Sequence, residues 1–234
     1  MWGNVPFPSN HSHNIKEVFM GVITISRQMG SEGTYIGKKL AKDLGLKYVD
    51  KQEIGKIMRE YGFSFFDEVY DSKPNFWERF DLQRASTVDF LIQAMMAIAK
   101  VGDVVMLGRG GFGLFQDYAD VLNVRIEAPF NLRVDRKMKE HGMKRLEGEA
   151  LLHKFDQIRT SFIESDLDFD ANDARLYDIM FNTGVVKPDD AVPCIASAYA
   201  ELMKNKRFGI ERKASSIEVD PLLFKHVQKM LATV

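Results

Sequence analysis

The sequence has almost no cysteine, no long apolar run, no repeat and hardly any net charge. Cys194 is the only cysteine in 234 residues, which excludes an intramolecular disulfide and leaves no thiolate set for zinc. Such usage fits a reducing compartment, and a cytoplasmic protein is expected. No apolar run approaches the roughly 18 to 20 residues that cross a bilayer, so no membrane partner is expected. The opening stretch, "MWGNVPFPSNHSHNIKE", lacks the basic start and apolar segment of a secretory signal. Residues 1–17 read as a tail in which His11 and His13 are solvated rather than metal-bound. A net charge of −1 gives no general attraction to nucleic acid. What is present, 45% hydrophobic and 28% charged residues, is enough for one substantial core.

Short β-branched apolar runs alternate with longer helical stretches, the pattern of a parallel sheet flanked by helices. Residues 18–26, "VFMGVITIS", are near-continuously apolar and predict a strand buried on both faces. Ile36, Leu40 and Leu44 then recur at i, i+4 and i+8 on one helical face, with Gly45 a natural stop. Further strands are expected at 47–50, 104–107, 121–128 and 177–183. Helices are expected at 51–61, 131–141, 147–165 and 188–206, and one more starts near Asp220 and Pro221. A long helix before the third strand should bury Val88, Leu91, Ile92, Met95 and Ala99. The aromatic-rich stretch at 61–80 either lines a pocket or fills a small helical subdomain.

Between the first strand and the first helix lies "SRQMGSEGT". Backbone amides of a glycine-rich loop, with the positive end of the following helix, hold phosphate without any charged side chain. Gly30 and Gly33 supply the glycines, and the Ser31 and Thr34 hydroxyls lie beside them; the alternative is a tight turn that merely needs glycine. In the common loop G-x-x-x-x-G-K-[ST] a lysine spans the transferred phosphate and the hydroxyl binds magnesium. Counted from the strand, that lysine falls at Gly33, the hydroxyl at Thr34 and the first glycine at Arg27. Lys38 and Lys39 stand a full turn inside the helix, so Arg27 is the better candidate to return a cation to the phosphates.

Four blocks carry a resemblance: "ITISRQMGSEGTYIGKKLAKDLG"; "YVDKQEI"; "VVMLGRGGFGLF" with "VLNVRIEAPFNLRVDR"; and "KFDQIRTSF" with "YDIMFNT". Together they resemble the cytidylate kinase-like family, a branch of the P-loop nucleoside monophosphate kinases, with a variant phosphate loop. The resemblance implies a three-layer α/β/α P-loop kinase fold with a five-stranded parallel sheet, a helical monophosphate-binding insertion and a lid. It places the kinase-like domain at 18–207, the monophosphate-binding region at about 51–85, the lid at about 140–165 and a helical extension at 208–234. ATP and Mg²⁺ would be the cofactors, and CMP or dCMP the plausible acceptor. One departure from the family is the turn after the third strand, which reads Gly-Arg-Gly with Gly110 where cytidylate kinases proper carry aspartate. The lysine of the common loop is absent too, as it is in close relatives of the family. Both bear on transfer more than on nucleotide binding, so a nucleotide-binding regulatory module and a kinase for another small acceptor stand as alternatives.

Phosphoryl transfer needs cations around the migrating group. Arg27, Arg109 and Arg159 are the catalytic candidates, Arg109 because it leaves a strand end where open α/β sheets place ligands. Its planar fork suits a monophosphate, or else it fixes the glycine-rich turn. Arg133 and Arg136, one turn apart, are cofactor-binding candidates with Gly30, Ser31, Gly33 and Thr34, on a face that looks into either the lid cleft or water. Asp156 and Arg159 either contact substrate or form a plain intrahelical ion pair. Asp50 either meets the monophosphate or a magnesium-bound water, or caps the next helix. Thr34 is the magnesium candidate. His141, His153 and His226 read as structural or solvated.

Overall fold

A computed structural model describes residues 21–73 and 81–233. The tail at 1–17, the first residues of the expected opening strand (18–20) and the aromatics at 74–80 lie outside the described residues. Along the chain run β1 (Val22–Arg27), α1 (Gly33–Leu44), β2 (Lys47–Val49), α2 (Lys51–Glu60), α3 (Phe66–Asp71), α4 (Leu82–Val101) and β3 (Val104–Leu107). They are followed by α5 (Gly111–Leu114), β4 (Val121–Glu127), α6 (Phe130–His141), α7 (Arg145–Ser165), β5 (Ile179–Asn182), α8 (Pro188–Asn205) and α9 (Pro221–Leu231).

The five strands form one parallel sheet in the order β2-β3-β1-β4-β5. Alternate residues of each strand point to opposite faces. Ile23, Ile25, Val105, Leu107, Val124 and Ile126 therefore pack under α1 and α8, while Val22, Val104, Met106 and Val121 pack under α2, α4 and α9. The result is three layers, and β1 at the centre is buried on both faces. One buried polar pair in mid-sheet is self-satisfied: Thr24 Oγ1 donates to Asn123 Oδ1 at 2.6 Å across the β1–β4 pair. Unpaired, either group would cost about 1–3 kcal/mol.

Local chemistry sets most boundaries. Gly45, at φ 68°, closes α1 by donating to the Ala41 and Lys42 carbonyls. Asp220 caps α9, its carboxylate accepting from the Leu222 and Leu223 amides, and Pro221 takes the first helical position. The apolar face of α9, with Leu223, Val227 and Leu231, closes against α4, where Val88, Leu91, Met95 and Ala99 are buried and Ile92 is half-buried. Two expected elements differ. The last strand begins only at Ile179, because Ala174–Leu176 forms a 3-10 turn and Tyr177 turns inward under Phe112. The helix expected from 147 begins at Arg145, with the Glu147 carboxylate accepting from the Lys144 amide.

The chain leaves β1 toward β2 and leaves β4 toward β5, in opposite directions across the sheet. That divergence opens a crevice at the carboxyl ends of adjacent strands.

Candidate phosphate-binding site

Residues 28–32 turn from β1 into α1 along the floor of this crevice. Gly30 and Glu32 take positive φ, 78° and 65°; the second is strained for a residue with a side chain. The loop's carbonyls are held from behind. Arg133 donates to Met29 O (3.3 Å), and Arg136 to Gly30 O (3.0 Å) and Thr183 O (3.0 Å). Thr183 Oγ1 donates to Ser31 O at 3.0 Å. The Gln28 and Ser31 amides are spent inside the protein, on Ile126 O and Gln28 O, which leaves the Met29, Gly30 and Glu32 amides of the loop without a partner among the described residues. The first-turn amides of α1, which have no acceptor within the helix, join them. Together they make an anion cradle.

Above the cradle is a cavity of about 430 Å³. Its walls come from five places: Arg27 at the end of β1, Lys51 on α2, Tyr70 and Asp71 on α3, Arg109 after β3, and a helical wall of Lys137, Glu140, Phe155, Asp156 and Arg159. Arg109 is buried, donates to the Tyr70 carbonyl, lies 4.2 Å over the Tyr70 ring and stands 3.7 Å from Asp71. Burial pushes its guanidinium below the ordinary value; Tyr70 and Asp71 oppose this and Arg27 adds to it. Arg159 donates to Ser26 Oγ, while its Nε has no partner. Burial pulls the Arg159 guanidinium down to about 10, with Arg125 and Arg27 adding like-charge repulsion. Among the described residues, the Arg27 side chain makes no hydrogen bond and no ion pair. Three guanidiniums thus converge, two of them with no carboxylate partner. That arrangement is built for an anion.

The sequence-derived candidates divide sharply. Arg27, Gly30, Gly33, Thr34, Arg109, Asp156 and Arg159 all line the cavity. Ser31 does not: its buried hydroxyl lies 2.8 Å from Gln28 O and 3.1 Å from Ile126 O, pinning the loop. Arg133 and Arg136 are off the cavity wall: their shared face looks onto the back of the loop, with Arg133 buried and Arg136 part-exposed, 3.9 Å from the Glu32 carboxylate. Asp156 pairs with Arg133 across helices, at 2.9 and 3.2 Å, rather than with Arg159 on its own helix. Asp50 is off the cavity wall, and its Oδ1 accepts from the Gln52 amide at 2.8 Å as the cap of α2. Lys38 lies over the Tyr48 ring and Lys39 binds Asp189. Sequence reasoning missed Lys51, Tyr70, Asp71 and Lys137. The one available signal was adjacency, since Lys51 follows Asp50 and Lys137 follows Arg136.

A magnesium ion fits this donor set only as a partner of bound phosphate. No group of three or more His, Cys, Asp or Glu among the described residues could cage a metal, whereas Mg²⁺ readily takes one or two protein oxygens plus phosphates and waters. The Thr34 hydroxyl is on the cavity wall for that purpose. Gly110, at φ 83°, explains the altered turn, since a Cβ there would meet Leu167 Cδ1 at 2.1 Å. Among the described residues no helix is long and apolar enough to cross a membrane.

A parallel sheet covered on both faces, with a strand–glycine loop–helix cradle at its carboxyl edge, defines a protein of the P-loop kinase fold. Residues 22–185 match the cytidylate kinase-like family, and the chain belongs to it. It is similar to the cytidylate kinase of Ignicoccus hospitalis, 26% identical over 179 residues, 75% of this chain and 97% of that one. It is also similar to the cytidylate kinase of Pyrococcus horikoshii, 28% identical over 184 residues, 77% of this chain and 89% of that one. Among solved structures, an uncharacterized protein from Eubacterium ventriosum superposes with a TM-score of 0.61 at 20% identity, covering 78% of this chain and 99% of that one.

Proposed function

We propose that the chain binds ATP with Mg²⁺ and transfers the γ-phosphoryl group to a nucleoside monophosphate, CMP or dCMP first among them. The observation that carries this is the convergence of Arg27, Arg109 and Arg159 on one cavity floored by the α1 amides. The acceptor follows the curated relatives named as cytidylate kinases. The loop amides and Arg27 hold the donor phosphates, Arg109 with Lys51 holds the acceptor phosphate, and Arg159 lies where the moving group passes. An acceptor phosphate oxygen forms the new bond to the γ-phosphorus as the β–γ bridging bond breaks, and ADP leaves. A monoester with a second pKa near 6 is already deprotonated at neutral pH, so no general base is required. Mg²⁺, held by Thr34, would neutralise the phosphate oxygens. The described residues of about 51–85 form the acceptor side and about 140–165 the lid, where Asp156 would exchange Arg133 for substrate. Asp50 has no place in this scheme beyond capping α2, nor Ser31 beyond pinning the loop.

Gly33 and the Glu32 carboxylate on the same cavity favour a second reading, a nucleotide-binding module with little turnover. A panel of nucleoside monophosphates with ATP–Mg²⁺, coupled to ADP detection and paired with calorimetry, separates the two. Turnover is expected with CMP or dCMP, and Arg109→Ala should raise KM for the acceptor. Tight ATP binding with no ADP formed against any acceptor would establish the second reading instead.

A further inference from the structure

The loop G-x-x-x-x-G-K-[ST] laid on this chain puts its two glycines at Arg27 and Glu32 and its lysine at Gly33. At one of the replaced glycines the backbone still takes a glycine-like conformation. Glu32, at φ 65° and ψ 11°, holds a left-handed conformation that glycine would take freely. The side chains at the other two positions have changed places. A Cβ atom on Gly33 would lie 2.5 Å from Arg27 Cβ and 2.9 Å from Arg27 Cγ. The Arg27 stem therefore crosses the space from which a lysine at 33 would start. Both cannot occupy it, because contacts that short are essentially never made by real Cβ atoms. Past that crossing, the Arg27 guanidinium is on the cavity wall with no anionic partner, close enough to Arg109 and Arg159 to depress both.

We propose that Arg27 and Gly33 are an exchanged pair. Arg27 delivers from the strand side the cation that a lysine would deliver from the helix side, and Gly33 must be glycine because the Arg27 side chain lies against it. The proposal rests on the reading of the cavity as a triphosphate site. Arg27 addresses the terminal phosphates of a nucleoside triphosphate, where a guanidinium fork can take two oxygens at once.

The test is a set of variants assayed by calorimetry with ATP–Mg²⁺ and with inorganic triphosphate, alongside thermal melts. Arg27→Gly should weaken both ligands by ~10- to 100-fold, the loss of one charge-assisted contact to phosphate. Gly33→Lys in the wild-type background should lower Tm and fail to improve binding. Arg27→Gly/Glu32→Gly/Gly33→Lys, which rebuilds the common loop, should recover affinity to within about tenfold of wild type. Unchanged affinity in Arg27→Gly, or a rebuilt loop no better than Arg27→Gly, overturns the exchange. The steric half has its own readout: Gly33→Ala should lower Tm in the wild type and do so far less beside Arg27→Gly. An equal loss in both backgrounds overturns it. If wild type binds neither ligand, the triphosphate reading of the cavity falls, and with it the role given to Arg27, while the melts still judge the packing.

Discussion

Arg84 of α4 and Asp166, just past the end of α7, form a buried two-pronged ion pair, Nε to Oδ1 at 2.8 Å and Nη2 to Oδ2 at 2.6 Å. The pair fastens the helix that carries Phe155, Asp156 and Arg159 to the main body. Removing one partner strands the other charge in a site only 7% exposed. Arg84→Met alone, or Asp166→Leu alone, should therefore cost about 3–5 kcal/mol. The double replacement should cost distinctly less than either single change, because no unpaired charge is left. Urea denaturation of the four proteins measures this, and a double variant as unstable as the sum of the singles would contradict it.

Arg159 should show the opposite balance. It is buried, its Nε lacks a partner, and Arg125 and Arg27 repel it. Arg159→Met removes an uncompensated charge and should hold or raise Tm, while reducing phosphate affinity by at least ~10-fold through the lost charged contact. A melt and a titration on the same sample check both halves. A variant that both melts earlier and binds normally would show the arginine to be structural.

Binding should follow pH with two limbs. Affinity for a nucleoside monophosphate rises between about pH 5 and 7 as the phosphate takes its second charge. It should then stay level and fall as pH passes about 10, where Arg159 loses its proton in the free protein. The sign follows from linkage. A folded-state pKa below the unfolded one means the fold disfavours the protonated guanidinium, so this penalty on stability is full below about 10 and lifts as pH climbs above it. A bound anion favours the charged form, so binding near pH 10 takes up a proton. Calorimetry in buffers of different ionisation enthalpy reads that uptake. The difference between wild type and Arg159→Met near pH 10 isolates this group from the lysines.

Gly110→Asp, which would restore the aspartate of cytidylate kinases proper, should destabilise the protein. The side chain meets Leu167 and the backbone sits at φ 83°, a conformation costing roughly 1–3 kcal/mol for a non-glycine residue. Adding Leu167→Ala should relieve the collision and leave the backbone cost. Because Leu167 is a core residue whose truncation costs stability by itself, the check is a four-protein cycle: Gly110→Asp should lower the denaturation midpoint less beside Leu167→Ala than in the wild type.

Much of the architecture was readable locally. β3 runs over the expected 104–107, Gly45 ends α1 and Asp220 starts α9, because burial alternation, a left-handed glycine and a capping carboxylate each act within a few residues. The basic residues of α6 show where local reasoning stops. Spacing put Arg133 and Arg136 on one face, but not toward what. The loop carbonyls they hold, those of Met29 and Gly30, are more than a hundred residues away in sequence.

The sequence by itself therefore determined the order of strands and helices, the cradle and the missing lysine, all set by near neighbours along the chain. Only the tertiary structure decided which charges face the cavity, that Asp156 turns to Arg133, and that Arg27 crosses over Gly33. Those outcomes depend on how the carboxyl ends of β1, β3 and β4 and the helices above them meet in space. Contact geometry at that range is set by packing of the whole sheet, and no periodicity in one segment encodes it.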